Sequence, residues 1–423
     1  MNLISAALFI AFVNRPVYDD GFNIFDVHNY ATKGLSLDTL RSQRNPPGPT
    51  SFILLAAAVR IIGGNELRDA RIGAFFSWFL LAIGVFYGAR SSRYPELWYA
   101  ALLVSLVFPH SIMAAATVLT EGPALFCAVI GALAWTEFVS RANSGATALI
   151  HGIAACLFLG LAVTCRQYNL ALLPAAALTA ALQLRTKTWQ PGQRWPFVAR
   201  CLVCVALSLA PVLLLLLVWK GIASPSMESG ASYDMMYKAS AGLNLTRPLI
   251  AALRVAVYLI PFTFPLMMQV KAPRRWGMLA VAAFGGLAAG YWTDSLLQPG
   301  PLNTIVGVAS RLFHGREFPF GLIAAVATCN AIALGLAIWE ERRLLSSSPL
   351  VAFALLTVLI FIAEQFGVGG NVPFYDRYVL QVAPFFGIVA FTLLPSLDKA
   401  RLLALITLSF FSQVMLWRYA FSP

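Results

Sequence analysis

Two adjacent carboxylates, Asp19 and Asp20, stand directly behind the first apolar segment of a chain that otherwise reads as one hydrophobic run after another. Charge at a membrane is costly and tends to be functional where it lies at a helix end facing a cavity. Neighbouring carboxylates repel, which raises the proton affinity of one and suits it to general-base work. The plainer alternative is a solvated pair that merely stops the first span.

Three later positions have comparable chemistry. In Thr120-Glu121-Gly122-Pro123 the acid stands where an apolar run begins, and a carboxylate is favoured at a helix N-terminus. Glu121 is therefore either a cap or a second active-site acid. In Arg166-Gln167-Tyr168-Asn169 two apolar runs meet with almost no loop. An arginine in so tight a turn is expensive unless it meets an anion, and its fork fits phosphate oxygens. Pairing with Glu121 or a carbonyl is the structural alternative. Pro373-Phe374-Tyr375-Asp376-Arg377-Tyr378 opens the next-to-last apolar run and offers Arg377 as a second anion ligand, or else an Asp376–Arg377 surface pair. His28, His110 and His314 have no metal-ligand spacing, and no metal ion is expected. Arg311 and Arg316 flank His314 in an outer loop and are placed to meet a lipid phosphate; Asn244-Leu245-Thr246 forms a glycosylation sequon.

The elements that position these groups follow from composition. The 423 residues are 59% hydrophobic and 11% charged, where a soluble chain would have roughly a quarter charged. Apolar runs of near-spanning length recur from end to end, so the chain is an all-α polytopic membrane protein in a single integral membrane domain, 1–423. Continuous runs such as 201–219 exclude a β-barrel. The net charge of +12 is that of basic loops facing anionic lipid, and no basic stripe interleaved with aromatics suggests nucleic acid. The six cysteines lie in or beside apolar runs and read as small buried residues.

Spans are expected at 1–13, 70–89, 97–118, 123–139, 148–165, 168–184, 201–219, 249–268, 276–291, 318–339, 349–366, 378–394 and 402–417, about thirteen in all. The polar stretch 15–48, closing on Asn45-Pro46-Pro47-Gly48, is a long first outer loop. The segment from Pro49 to Ile62 covers only about 21 Å at ~1.5 Å per residue and carries Arg60, so it reads as a juxtamembrane or re-entrant helix. With that parity Asp19, Glu121, Arg166 and Arg377 share one face. The turns at Arg90/Arg93, Arg141, 185–200, 271–275, Arg342/Arg343 and Lys399/Arg401 then share the other, which the positive-inside bias makes cytoplasmic.

The order of these motifs resembles the GT-C superfamily of polyprenyl-phosphate-sugar-dependent glycosyltransferases, and most closely the α-1,2-glucosyltransferases that use dolichyl-phosphate-glucose. Asp19-Asp20-Gly21-Phe22 with Tyr30 eight residues after the Phe, Pro47-Gly48, Phe108-Pro109, Thr120-Glu121, Arg166-Gln167-Tyr168-Asn169 and the looser Asp376-Arg377-Tyr378 carry it. Asp20 stands where that family has Glu, Asn23 where it has His, and the late motif is rearranged. The resemblance implies a GT-C-type bundle and a hexosyltransferase without cofactor. It implies transfer of a sugar from a polyprenyl-phosphate donor to a glycan, a lipid-linked saccharide or a lipid. Asp19, Asp20 and Glu121 would be the catalytic acids, and Arg166, Gln167, Arg377, Tyr378, Tyr30 and His28 would hold substrate and phosphate. Phosphate is a good leaving group, so cations on the developing charge and one base suffice, and direct displacement inverts the anomeric centre. The rival class is a transporter or flippase for lipid-linked saccharides, although such folds show internal repeats and mid-membrane charges. Short loops suggest a bacterial inner membrane with a periplasmic site; the endoplasmic reticulum membrane with a lumenal site is the alternative.

Overall fold

The computed structural model of the protein describes all residues except 1, 18, 46–47, 142–144, 187–188, 190–191, 222–223, 229–245, 292–300, 314, 368–375 and 422–423. Its described regular elements are all helical: α1 (Asn2–Phe12), α2 (Asp20–Lys33), α3 (Leu37–Arg41), α4 (Pro49–Ile62), α5 (Glu66–Arg90), α6 (Pro95–Val107), α7 (Ser111–Ala116), α8 (Glu121–Ser140), α9 (Gly145–Cys165), α10 (Leu172–Thr186), α11 (Arg194–Trp219), α12 (Pro225–Glu228), α13 (Thr246–Gln269), α14 (Ala272–Tyr291), α15 (Pro301–Phe313), α16 (Glu317–Glu340), α17 (Arg342–Ser347), α18 (Pro349–Glu364), α19 (Ala383–Leu393) and α20 (Lys399–Phe421). Short 3-10 turns, Gln167–Ala171, Gln365–Gly367 and Asp376–Val382, precede α10, follow α18 and precede α19.

Among the described residues eight helices, α5, α8, α9, α11, α13, α16, α18 and α20, are long and apolar enough to cross a membrane. The protein is an integral membrane protein, and eight of the roughly thirteen expected spans are single helices of spanning length among the described residues; the full count is not confirmed. The run 97–118 breaks at Phe108-Pro109-His110 into α6 and the short α7, because proline cannot continue the helix through its missing donor. The runs 168–184 and 378–394 each open as a 3-10 turn, and α1 and α4 are short. Irregular backbone at such depth is tolerated only where protein or a cavity satisfies it. All three breaks fall at motifs singled out in the sequence: Phe108-Pro109, Arg166-Gln167-Tyr168-Asn169 and Asp376-Arg377-Tyr378.

The core is centred on α8, 89% of whose apolar window is buried, against 17% for α11 on the lipid-facing flank. Small residues let α8 sit this deep. A Cβ on Gly131 would meet the Leu159 backbone nitrogen at 2.9 Å, so glycine sets the close approach of α8 and α9. Helices α5, α9, α10 and α18 pack against it, and with α6 and α19 they contribute Trp78, Leu159, Ala176, Phe353, Trp98 and Phe386 to one continuous apolar cluster. At 20 residues α8 is about 30 Å long, the thickness of a bilayer's hydrocarbon core. Its ends define two polar layers. At one stands Glu121. At the other Glu137 accepts from Arg141 at 2.9 Å and from the Arg93 backbone at 3.3 Å.

The first loop is built on α2 and α4, which pack Val27, Tyr30, Phe52 and Leu55 together in a separate cluster. Pro49 at the N-terminus of α4 and Gly63 in the left-handed region (φ 68°) at its end fix its limits. It starts beside Cys165, whose carbonyl accepts the Gly48 N–H at 2.9 Å. Just past its end, the Gly64 N–H donates to Asp69 in the first turn of α5 at 2.7 Å.

Candidate active site

Four segments far apart in sequence bring an acid or a base to one point. Asp19 caps α2, Glu121 opens α8, Arg166 follows α9, and Arg377 lies in the 3-10 turn before α19. Arg377 Nη1 bonds the Asp19 carboxylate, and its Nε lies 3.7 Å from Glu121 Oε1. Arg166 Nη2 bonds the same Glu121 oxygen. The result is a continuous chain, Asp19–Arg377–Glu121–Arg166. Its exposure falls from the rim inward: 31% for the Asp19 side chain, 13% for Arg377 and 1% for Glu121. Among the described residues the second oxygen of Glu121 is buried with no hydrogen-bond partner. That oxygen can accept a hydrogen bond from a polar ligand while its twin, Oε1, holds the two guanidiniums.

The local sequence explains how these groups are held. Gly48, in ordinary extended conformation, lies so close to α9 that a Cβ there would sit 1.8 Å from the Thr164 carbonyl oxygen. Only glycine fits. Ser51, one turn further on, donates within 3.3 Å of both the Thr120 and Cys165 carbonyls, the residues just before Glu121 and Arg166. The turn before α4 is thus a clamp on the backbone of both site residues. Asp26 braces the clamp, accepting from the Arg44 and Asn45 backbone N–H groups at 3.0 and 2.9 Å and from the Asn45 side chain at 2.7 Å. Burial nevertheless pushes the Asp26 carboxyl above the usual aspartate range. Arg377 is steadied by Tyr378, whose ring lies 5.6 Å from its guanidinium carbon and 4.5 Å from the Tyr168 ring.

Other expected site residues lie elsewhere. Asp20 does not face the rim. It is fully buried, held by Arg71 at 2.5 and 3.2 Å, and accepts from the Val17 and Val118 backbone at 3.1 and 2.5 Å. With these bonds filling its oxygens, it ties the loop's start to α5 and to the turn before α8. His28 is on the outer surface of α2 and pairs with Glu66 at 3.0 Å. Nine residues separate it from Asp19, about 13 Å along a helix. Tyr30 is buried between α2 and α4, its hydroxyl on Gln43 at 3.0 Å. Gln167 is exposed beside Arg166. His314, Asn244, Leu245, Pro46 and Pro47, residues 373–375 and the Asp376 side chain fall outside the described residues.

The buried settings of Arg71, Arg254 and His110 were not anticipated from the sequence. Arg71 stands at the start of the expected span 70–89 and holds Asp20 together with the Arg15 carbonyl, at 2.7 Å. Arg254 lies buried inside the expected span 249–268, and an ionisable residue within a span is the signal that would have found it. His110 is buried close enough to Arg377 and Arg254 to feel both charges. Beside α13, an apolar cavity of about 220 Å³ is lined by Val255, Leu259, Leu334, Val358, Ile362 and Phe386.

No family model matches the chain, and no curated protein does. Among solved structures it is similar to ArnT from Cupriavidus metallidurans bound to undecaprenyl phosphate, with 14% identity and a TM-score of 0.42, covering 98% of this chain and 76% of that one. It is also similar to the Archaeoglobus fulgidus oligosaccharyltransferase tethered with an acceptor peptide, with 12% identity and a TM-score of 0.34, covering 87% and 55%. The archaeal oligosaccharyltransferase AglB, from the same organism, in complex with an inhibitory peptide and a dolichol-phosphate, scores 0.31 at 14% identity and covers 87% and 56%. Likeness at this level assigns neither family nor activity.

Proposed function

We propose that the protein is a GT-C-type inverting glycosyltransferase that moves a hexose from a polyprenyl-phosphate donor to a saccharide or lipid acceptor. The observation that carries this reading is the Asp19–Arg377–Glu121–Arg166 chain, with Asp19 at the rim and Glu121 and Arg166 buried, at one polar layer of the bundle. Arg377 and Arg166 supply cations for a phosphate, and Asp19 supplies an accessible carboxylate for the attacking hydroxyl. In the transfer, the acceptor oxygen bonds to the anomeric carbon as the carbon–oxygen bond to phosphate breaks. The electron pair leaves with the phosphate oxygen, where the arginines stabilise it, and the acceptor proton passes to Asp19. Glu121 holds both arginines and orients the acceptor. The apolar cavity beside α13 suits an isoprenoid tail.

Sidedness is part of the proposal. Arg93 and Arg141 lie at the far end of α8 from Glu121, which supports a cytoplasmic layer there and an outer, periplasmic site. Helix α4 meets Cys165 at its start and α5's first turn at its end, which supports a helix that does not cross. The charges gather at helix ends on one face, which favours an enzyme over a transporter or flippase. The test is transfer of labelled glucose from polyprenyl-phosphate-glucose by purified protein in lipid nanodiscs, scored as label on lipid or saccharide acceptors with release of polyprenyl phosphate. Translocation of intact labelled donor without cleavage, measured with the same protein in sealed proteoliposomes, establishes the transporter instead.

A further inference from the structure

We propose that the donor phosphate itself unmasks the base: by taking Arg377 it releases Asp19, so the site is competent only once the donor is seated. The inference rests on the glycosyltransferase reading. Arg377 binds the Asp19 carboxylate through Nη1 and lies 3.7 Å from Glu121 through Nε. An acid held on a guanidinium has its charge offset and an oxygen occupied, so it is a poor acceptor for a hydroxyl proton. A phosphate anion arriving at Arg377 competes with both carboxylates for the same cation.

Burial decides which carboxylate yields. The Glu121 side chain is 1% exposed, so moving it off its arginines strands a charge in apolar core, and Arg166 holds the same oxygen. The Asp19 side chain is 31% exposed at the rim, where water takes up its charge on release. Asp19 is therefore the partner displaced, and the released oxygen is the one required to accept the acceptor's proton. The Asp20–Arg71 pair next door, fully buried, keeps the backbone of this turn fixed while the Asp19 side chain changes partner. Such a latch also denies water a free base at a half-filled site, and it imposes donor-first binding.

The experiment measures binding of polyprenyl phosphate to the full-length protein in nanodiscs, alongside turnover, so that neither readout depends on the other. If phosphate must displace Asp19, Asp19→Asn binds polyprenyl phosphate roughly tenfold tighter than wild type, within the range usual for coupled sites, while turnover falls. Arg377→Gln in the same background removes the gain. Asp38→Asn, which deletes an exposed charge of the same loop, leaves affinity unchanged. Equal or weaker binding by Asp19→Asn overturns the latch while lost turnover still supports Asp19 as base. Tighter binding with full turnover keeps the latch and removes Asp19 from base duty. Failure of the wild type to bind polyprenyl phosphate overturns latch and donor class together.

Discussion

Asp19 and Asp20 are neighbours in sequence with the same side chain, and each is bound to an arginine, yet the two pairs occupy opposite physical regimes. Asp20–Arg71 is sealed, with no side-chain exposure on the acid and 1% on the base. Asp19–Arg377 is at the rim, with 31% and 13%. A sealed pair cannot exchange partners without leaving a charge in low dielectric, so it serves as a fastener. A rim pair can exchange with ligand or water, which the chemistry proposed for Asp19 requires. Helix geometry produces the difference, because α2 begins between the two residues and sends successive side chains to different faces.

The largest effect separating the pairs is expected at Asp19. Asp19→Asn lowers turnover by about 10²–10⁴, the usual contribution of general-base catalysis, with the melting temperature unchanged. A wild-type rate in that variant removes Asp19 as base. At the fastener the readouts reverse: Arg71→Ala strands Asp20 and destabilises by about 3–5 kcal/mol, as seen when one partner of a buried pair is removed. Thermal unfolding in detergent checks it, and an unchanged midpoint would show that Asp20 finds other solvation.

A smaller loss tests the clamp that carries Glu121 and Arg166. Gly48→Ala forces a Cβ onto the Thr164 carbonyl and costs about 1–3 kcal/mol, as overpacking does, with turnover falling further than stability because both site backbones shift. Activity and melting compared on one preparation decide this. The smallest effect is one of pH at Asp26. Its folded carboxyl binds a proton more readily than the unfolded one, so its contribution is complete at low pH and declines as pH rises from the ordinary aspartate range through the raised folded value. Asp26→Asn flattens that slope in melting temperature measured across mildly acidic buffers. An identical slope in both proteins assigns the titration elsewhere.

Much of the fold was legible because membrane helices leave a direct mark in the sequence: long apolar runs, short loops and charges at the ends. The start of α8 at Glu121 and the extent of α4 from Pro49 to Ile62 followed from a Gly-Pro pair, a helix-start proline and an abrupt change in polarity. The break at Phe108-Pro109-His110 was passed over because the apolar run resumes directly after it, and the two 3-10 turns because the polar residues that open them mark a junction without specifying how the backbone winds there. Arg254 was overlooked because a single arginine barely alters the hydropathy of its run. His110 looked isolated because its charged neighbours lie on α13 and before α19, some 140 to 270 residues away in the chain.

The sequence by itself determined that this is an all-helical membrane protein and that Asp19, Glu121, Arg166 and Arg377 stand at the ends of apolar runs. Residue type and hydropathy are local properties that the chain carries at every position. Only the tertiary structure decided that these four form one chain of ion pairs, that Asp20 is a fastener rather than a second free acid, and that Tyr30 and His28 stand apart. Those outcomes depend on which helix faces which, and burial is a property of the packed bundle and not of any residue within it.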